Sequence, residues 1–304
     1  MSIDHSAIHE NRWNLSKKYI LGKGLEVGAL NRPLPVHKCV QVIYIDNINV
    51  EDAYNIHFPR LKGTDIVNVD VIDDAEELTT IPLESQDFII GCHFLEHTQN
   101  PIKTIESHLS KIRVGGILYY ILPDKRYTFD IDRPVTTFEH ILYDYQKGAD
   151  ISYDSHMYEW VELVEHVKTK EQIESRVKEL KDIAHAIHFH VFDAKTLKEF
   201  FEKINEVLGN SYEIVEFYED KMHENIVILR KLKSKTKTHN ENLDPNMPLA
   251  IRTLMQVYER REDLQKAYPE VKEKKELSSL IEWAKRYGIN EDSRLFRFAP
   301  YFES

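Results

Sequence analysis

Lys23-Gly24-Leu25-Glu26-Val27-Gly28-Ala29-Leu30-Asn31-Arg32-Pro33 is the stretch on which the fold turns. It reads as a short apolar strand that carries one acid and runs into a glycine turn. Lacking a Cβ, Gly28 permits positive φ and lets a ligand come close to the backbone, as the turn after a buried parallel strand often requires. A second apolar strand, Val40 to Ile45, ends at Asp46, 20 residues after Glu26. In nucleotide-binding α/β sheets that position lies beside the first glycine turn, where a carboxylate accepts hydrogen bonds from two adjacent ribose hydroxyls. A pyrophosphate dinucleotide fits less well. Gly22, Gly24 and Gly28 are spaced by two and four, and Pro33 follows the turn where a phosphate-cradling helix would have to begin.

Further along, Asp65 to Asp70 reads as a third strand and Glu51 to Arg60 as a short helix before it. Asp87 to Gly91 is a continuous apolar run of the kind buried on both faces, and it delivers Cys92 and His93 to the carboxyl edge of the sheet. Asn100-Pro101 starts a helix expected to run to Gly115-Gly116, and Ile117 to Leu122 reads as the fifth strand. Strands and crossovers alternate, which predicts a parallel sheet covered on both faces.

Glu26-x-Gly28, Asp46, the acids Asp70 to Asp74, Gln86-Asp87-Phe88-Ile89-Ile90-Gly91-Cys92-His93-Phe94-Leu95-Glu96-His97 and Val114-Gly115-Gly116-Ile117-Leu118 together resemble class I S-adenosylmethionine-dependent methyltransferases, over about residues 20–125. The resemblance implies a doubly wound, seven-stranded, mostly parallel α/β sheet of the Rossmann-like methyltransferase type. It implies S-adenosylmethionine as cofactor, surrounded by Glu26, Gly28, Ala29, Asp46, Asp73, Asp74, Cys92 and His93, with Asp73 or Asp74 accepting from the adenine amino group. One departure is that Ala29-Leu30 stands where the family has a second glycine. Pro123-Asp124-Lys125-Arg126-Tyr127-Thr128-Phe129-Asp130, after the fifth strand, is similar to a subgroup associated with bacterial surface-polysaccharide (capsule) biosynthesis.

Composition narrows the choice of partner. The 304 residues hold 51 Asp plus Glu against 40 Lys plus Arg, a net charge of −11, so no basic surface for nucleic acid is advertised. Cys39 and Cys92 form neither a disulfide framework nor a zinc ribbon. No apolar run reaches signal-peptide or membrane-span length, so a soluble, cytoplasmic protein is expected.

Within this acidic chain, Lys125, Arg126 and Arg133 cluster after the fifth strand, with His140 beyond them. They read either as a cationic clamp for an anionic acceptor or as loop charges paired with Asp124, Asp130 and Asp132. Two charged amphipathic helices follow over about residues 150–187, an insertion suited to a substrate lid. It leads into Ile187-His188-Phe189-His190-Val191-Phe192-Asp193, where i, i+2 spacing places both histidines on one face of an extended segment. His188 and His190, with Asp193 as orienting acid, are the candidate catalytic groups; metal ligation is a weaker alternative, and no metal is assigned. His93, His97 and His140 are the other candidate bases.

The expected organisation is a methyltransferase domain over 1–232, a polar linker over 233–248 and a helical extension over 249–304. The extension cannot form a core alone and has to dock either on the main domain or on a second copy, and only the second of these makes a homo-oligomer. The expected function is methyl transfer from S-adenosylmethionine to oxygen of a sugar or nucleotide-linked sugar. A non-catalytic ligand- or partner-binding protein of the same fold is the competing reading, and a nicotinamide-dependent enzyme is a third.

Overall fold

In a computed structural model, residues 5–57, 61–220 and 223–233 are described. The chain separates into Met1–Lys233 and Ser234–Ser304; the linker expected over 233–248 and the helical extension over 249–304 lie almost wholly outside the described residues. The elements of the first unit are α1 (His5–Tyr19), β1 (Lys23–Val27), β2 (Gln41–Asp46), the short turn α2 (Val50–Asp52), β3 (Val71–Ile72), β4 (Gln86–Cys92), α3 (Pro101–Lys111), β5 (Ile112–Pro123), α4 (Phe138–Lys147), α5 (Asp150–Leu163), α6 (Lys170–Asp182), α7 (Ala194–Val207), β6 (Tyr212–Glu219) and β7 (Glu224–Lys231). The seven strands form one sheet in the order β3-β2-β1-β4-β5-β7-β6. β1 to β5 are parallel, and β7 enters antiparallel to β5 and to β6. This is the doubly wound, mostly parallel sheet with a closing antiparallel pair.

Alternation along the strands divides the core between the two faces. Ile89, Leu118 and Tyr120 pack with Ile102 and Ile105 of α3 and Phe200 and Phe201 of α7. Phe88, Ile90, Tyr119 and Ile121 pack on the other face with Tyr19 and Ile20 at the end of α1. Every residue of β4 from Gln86 to Gly91 is buried, as its apolar run predicts.

Three expected boundaries differ. The third strand is only Val71–Ile72, since residues 65–69 run alongside without completing a ladder. The helix at Asn100-Pro101 stops at Lys111, and Gly115-Gly116 falls inside β5 instead of capping that helix. The reason is close approach of β4 and β5 where their register shifts between Gln86 and Phe88. A Cβ on Gly116 would come within 2.8 Å of the Arg113 carbonyl and 3.0 Å of the Asp87 carbonyl, so the bulge admits only glycine. Finally, in place of the expected helix over 51–60, Val50–Asp52 form α2 and Ala53–His57 a π turn, while residues 58–60 lie outside the described residues.

Beyond the sheet, α5 and α6 bury Met157, Val161, Val177 and Leu180 together with Ile187 and Phe189. The insertion thus has a small apolar centre of its own, which holds the 187–193 segment at the carboxyl edge of the sheet. No helix among the described residues is long and apolar enough to cross a membrane.

Candidate functional site

Parallel strands leave their carboxyl ends open for ligands, and β1, β2 and β4 end together here. The Gly28 N–H donates to the Ile45 carbonyl at 2.9 Å, tying the first turn to the end of β2. Gly28 has φ of 64°, and a Cβ built on it would meet nothing within 4 Å. The turn therefore needs glycine for its backbone conformation and faces open space where a ligand can lie. Beside it a mostly apolar groove is lined by residues that include Ala29, Leu30, Tyr44, Asp46, Asn49 and Val67.

Glu26 lies under this turn and is completely buried. Its Oε1 accepts from the Leu34 N–H at 2.7 Å, while Oε2 has no hydrogen-bond partner among the described residues. Burial pushes its carboxyl up to about 8, despite the Leu34 bond and the charge of Arg12. The two acids after β3 part company. Asp73 accepts from Thr79 Oγ1, from the backbone and hydroxyl of Thr80 and from the Asp74 N–H, and these bonds outweigh burial to hold its carboxyl low. Its lone pairs are spent on shaping the loop. Asp74 accepts from the Glu76 N–H at 2.7 Å.

After β4, Cys92 is held neutral because burial raises its thiol well above the ordinary range. His93, with φ of 49°, sits in an ionic chain that sequence reasoning missed. Glu224 receives Arg12 through both carboxylate oxygens (2.8 and 2.6 Å) and lies 3.0 Å from His93 Nε2; Glu96 lies 3.5 Å from His93 Nδ1. Burial opposes the imidazolium, but Glu224 and Glu96 raise it to about 9, so His93 is a cation at neutral pH and not a base. Burial likewise opposes ionisation of Glu224, yet Arg12 and His93 bring it down to about 2. α1 therefore does more than cover the sheet, since its Arg12 anchors this chain.

The loop after β5 resolves the two readings of its basic residues. Arg126 pairs with Asp124 (2.7 Å) and Glu219 (2.8 Å) and keeps a side chain 44 % exposed, and Lys125 Nζ donates to the Ile131 carbonyl. Arg133 is fully buried, donating to Asp130 (2.8 Å), Glu159 (2.9 Å) and the His188 carbonyl (2.8 Å). Its Nη2 is buried without a hydrogen-bond partner among the described residues, so Arg133 stands apart from the exposed Arg126 instead of forming one surface clamp with it.

The histidine pair separates as well. His188 Nδ1 is 2.6 Å from Asp130 Oδ2, and burial of Asp130 is outweighed by His188 and Arg133, which keep its carboxylate ionised. His188 Nδ1–H thus donates to Asp130 and leaves Nε2 facing Glu96 and His97, whose ligating atoms lie within 4.8 Å. His97 Nδ1 lies 2.9 Å from the Ile187 carbonyl, which can only accept, and burial lowers its pKa. Both carboxylate oxygens of Glu96 are buried without a hydrogen-bond partner among the described residues.

His190 turns elsewhere, to His140 and His156, at ring-centroid distances of 6.2 and 5.2 Å. Burial holds His190 at about 3 and His156 at about 4. Asp193 orients neither histidine. It caps α7, accepting from the Thr196 N–H at 2.8 Å in a reciprocal capping box. The orienting acid is Asp130, 58 residues before His188 in the chain. A lone acid in a charged loop carries no sequence signal for that part.

No family model and no curated protein matches the chain. Solved structures align with it at low identity. A SAM-dependent methyltransferase from Aquifex aeolicus is 14 % identical over 75 % of this chain and 90 % of its own, with TM-score 0.40. The N-methyltransferase NodS from Bradyrhizobium japonicum WM9 is 12 % identical over 75 % and 96 %, with TM-score 0.38. A protein described as a putative Zn-dependent alcohol dehydrogenase from Rhodobacter sphaeroides is 13 % identical over 72 % and 88 %, with TM-score 0.41. Likeness this loose carries no argument about chemistry, which rests on the residues.

Proposed function

We propose that the chain is an S-adenosylmethionine-dependent methyltransferase acting on a hydroxyl of a small acceptor. One observation carries this reading: the buried Glu26 Oε2 without a partner, directly beneath an open glycine turn and one strand away from Asp46. An orphaned buried carboxylate oxygen costs about 1–3 kcal/mol, and an ammonium group reaching it would remove that cost. S-adenosylmethionine brings an ammonium, a ribose and an adenine but no phosphate, and the turn has no helix N-terminus to receive a phosphate. Asp46 would take the ribose hydroxyls. Asp74 is assigned the adenine amino group in preference to Asp73, whose oxygens are occupied. Ala29 and Cys92 would wall the pocket with apolar surface.

When bound, S-adenosylmethionine supplies an electrophilic methyl group on a sulfonium. The residues of the chain then need to align a nucleophile, exclude water and accept one proton. His188 is assigned that proton at Nε2, with Asp130 holding the ring through Nδ1–H and stabilising the imidazolium that forms, and Arg133 holding Asp130 in turn. Phe129, whose ring lies 4.7 Å from that of His188, shields the site. His93 stays a cation that fixes Glu96 and Glu224 at the floor.

A sugar or nucleotide-linked sugar is the acceptor we favour. Its support is the similarity of the 123–130 stretch to surface-polysaccharide enzymes, together with Lys125 and Arg126 at the rim. Isothermal titration with S-adenosylhomocysteine and with NAD tests the cofactor: tight binding of the first and none of the second is expected, and the reverse overturns the proposal. Labelled S-adenosylmethionine with a panel of nucleotide sugars tests the acceptor. Cofactor binding without transfer to any acceptor would favour a non-catalytic protein of the same fold.

A further inference from the structure

The methyltransferase reading leaves a second polar cluster unused. His140 and Asp144 lie one turn apart on α4, so both project from one face of that helix. His156 on α5 and His190 on the returning segment come to the same point. His140 Nε2 is 3.0 Å from His156 Nε2 and 3.2 Å from Asp144 Oδ2, and ligating atoms of the three histidines lie within 4.8 Å of one another.

We propose that His140, His156 and His190, with the Asp144 carboxylate adjoining His140, bind a divalent transition-metal ion of the zinc type. Tetrahedral Zn²⁺ with Zn–N of about 2.0–2.1 Å sets its ligand atoms about 3.3 Å apart, so the observed spacings bracket what the ion requires. Ligand chemistry agrees: three imidazoles and one carboxylate are a borderline-soft set suited to zinc and not to magnesium or calcium.

Two details point to a ligand beyond mere proximity. His190 Nε2 lies 3.2 Å from the Gln99 carbonyl, which can only accept. Nε2 therefore carries the proton, and Nδ1 offers a lone pair; Nδ1 is buried, with no hydrogen-bond partner among the described residues, on a residue 1 % exposed. Backbone carbonyls hold metal-binding histidines in this way, fixing the tautomer from behind. Asp144 adjoins the cluster through Oδ2, which accepts from Ser152 Oγ at 2.6 Å and lies 3.2 Å from His140 Nε2, and its Oδ1 is buried without a hydrogen-bond partner among the described residues. Arg133 nearby pairs with Asp130 and Glu159.

An ion here would join α4, α5 and the 187–193 segment, and so hold the insertion against the wall that carries His188. It shares no residue with the Glu96, His97 and His188 group, whose His188 Nε2 the methyltransferase reading uses as the base.

The test uses full-length, tag-free protein stripped by chelator dialysis, titrated with Co²⁺ and then Zn²⁺. Expected are a visible cobalt spectrum of tetrahedral intensity saturating at one equivalent, its displacement by one equivalent of Zn²⁺, and a rise in Tm of about 5 °C or more with excess Zn²⁺. His156→Gln and His190→Gln should each weaken cobalt affinity more than about 100-fold, Asp144→Asn less, and Glu96→Gln not at all. Should the buried variants fail to fold by circular dichroism, His140→Gln, at a partly exposed position, carries the test. No saturable binding, unchanged affinity in the histidine variants, or loss of the ion in Glu96→Gln would each overturn the assignment. None of these readouts depends on methyl transfer or on S-adenosylhomocysteine.

Discussion

Replacing Glu26 with Gln separates the charge of this carboxylate from its shape. Raised from 4.5 to about 8, the carboxyl is about 5 kcal/mol harder to ionise in the empty site than in water. It is therefore neutral when the protein rests at pH 7, and Gln is its near-isostere, still able to accept from Leu34 N–H through Oε1. Stability should change by less than about 1 kcal/mol. Cofactor binding should change much more, because an ammonium favours the carboxylate and has to draw it out of its neutral form. If only ionised Glu26 binds, apparent affinity for S-adenosylhomocysteine rises about 25-fold from pH 6 to pH 7.5, as the charged fraction climbs from about 1 % to about a quarter. The sign follows from linkage: binding releases a proton, so lower pH weakens it. Calorimetry in buffers of different ionisation enthalpy would register that proton. Glu76, which burial and Asp74 push up to about 7, titrates in the same range, so the decisive comparison is with the variant. Glu26→Gln should bind more weakly and lose most of the pH slope. Equal affinity for variant and native protein at pH 7.5, or a flat native profile with no proton release, would refute the placing of the ammonium at Glu26.

Other outcomes follow from the same geometry. Asp46→Ala should weaken S-adenosylhomocysteine binding by about 1.5–3 kcal/mol through loss of a charge-assisted acceptor, checked by the same titration. Gly28→Val should remove binding at a cost in stability of only about 1–2 kcal/mol, because positive φ strains a β-branched residue while its Cβ meets nothing within 4 Å; urea denaturation and titration read the two effects separately. His188→Ala should lower kcat by about 10²–10⁴-fold with cofactor affinity retained, and full activity in this variant would remove His188 as the base. Arg133→Ala should cost about 3–5 kcal/mol in denaturant titration, since it breaks a buried ion pair and leaves Asp130 with His188 alone; a loss below 1 kcal/mol would mean that Arg133 does not hold Asp130 in place.

The sheet was legible in the chain because strand signals are local. Alternating apolar residues, Asp46 at its spacing from Glu26, and the buried run of β4 each report their own surroundings within a few residues. Asn100-Pro101 marked a helix start correctly for the same reason. Gly115-Gly116 misled because glycine at a helix end and glycine in a bulge look alike in sequence; only the approach of β4 to β5 distinguishes them. The partners of charged groups were beyond local reading altogether. Asp193, three residues from His190, caps a helix, whereas Asp130 reaches His188 across 58 residues, and Glu224 of β7 meets Arg12 of α1 across 212. Residues two apart on a strand share a face, yet His188 and His190 part because their segment is irregular and packs between two walls. Hydrophobic patterning acts between neighbours in the chain and can be read there; a hydrogen bond or ion pair depends on which distant elements pack together, and only the tertiary structure decides that.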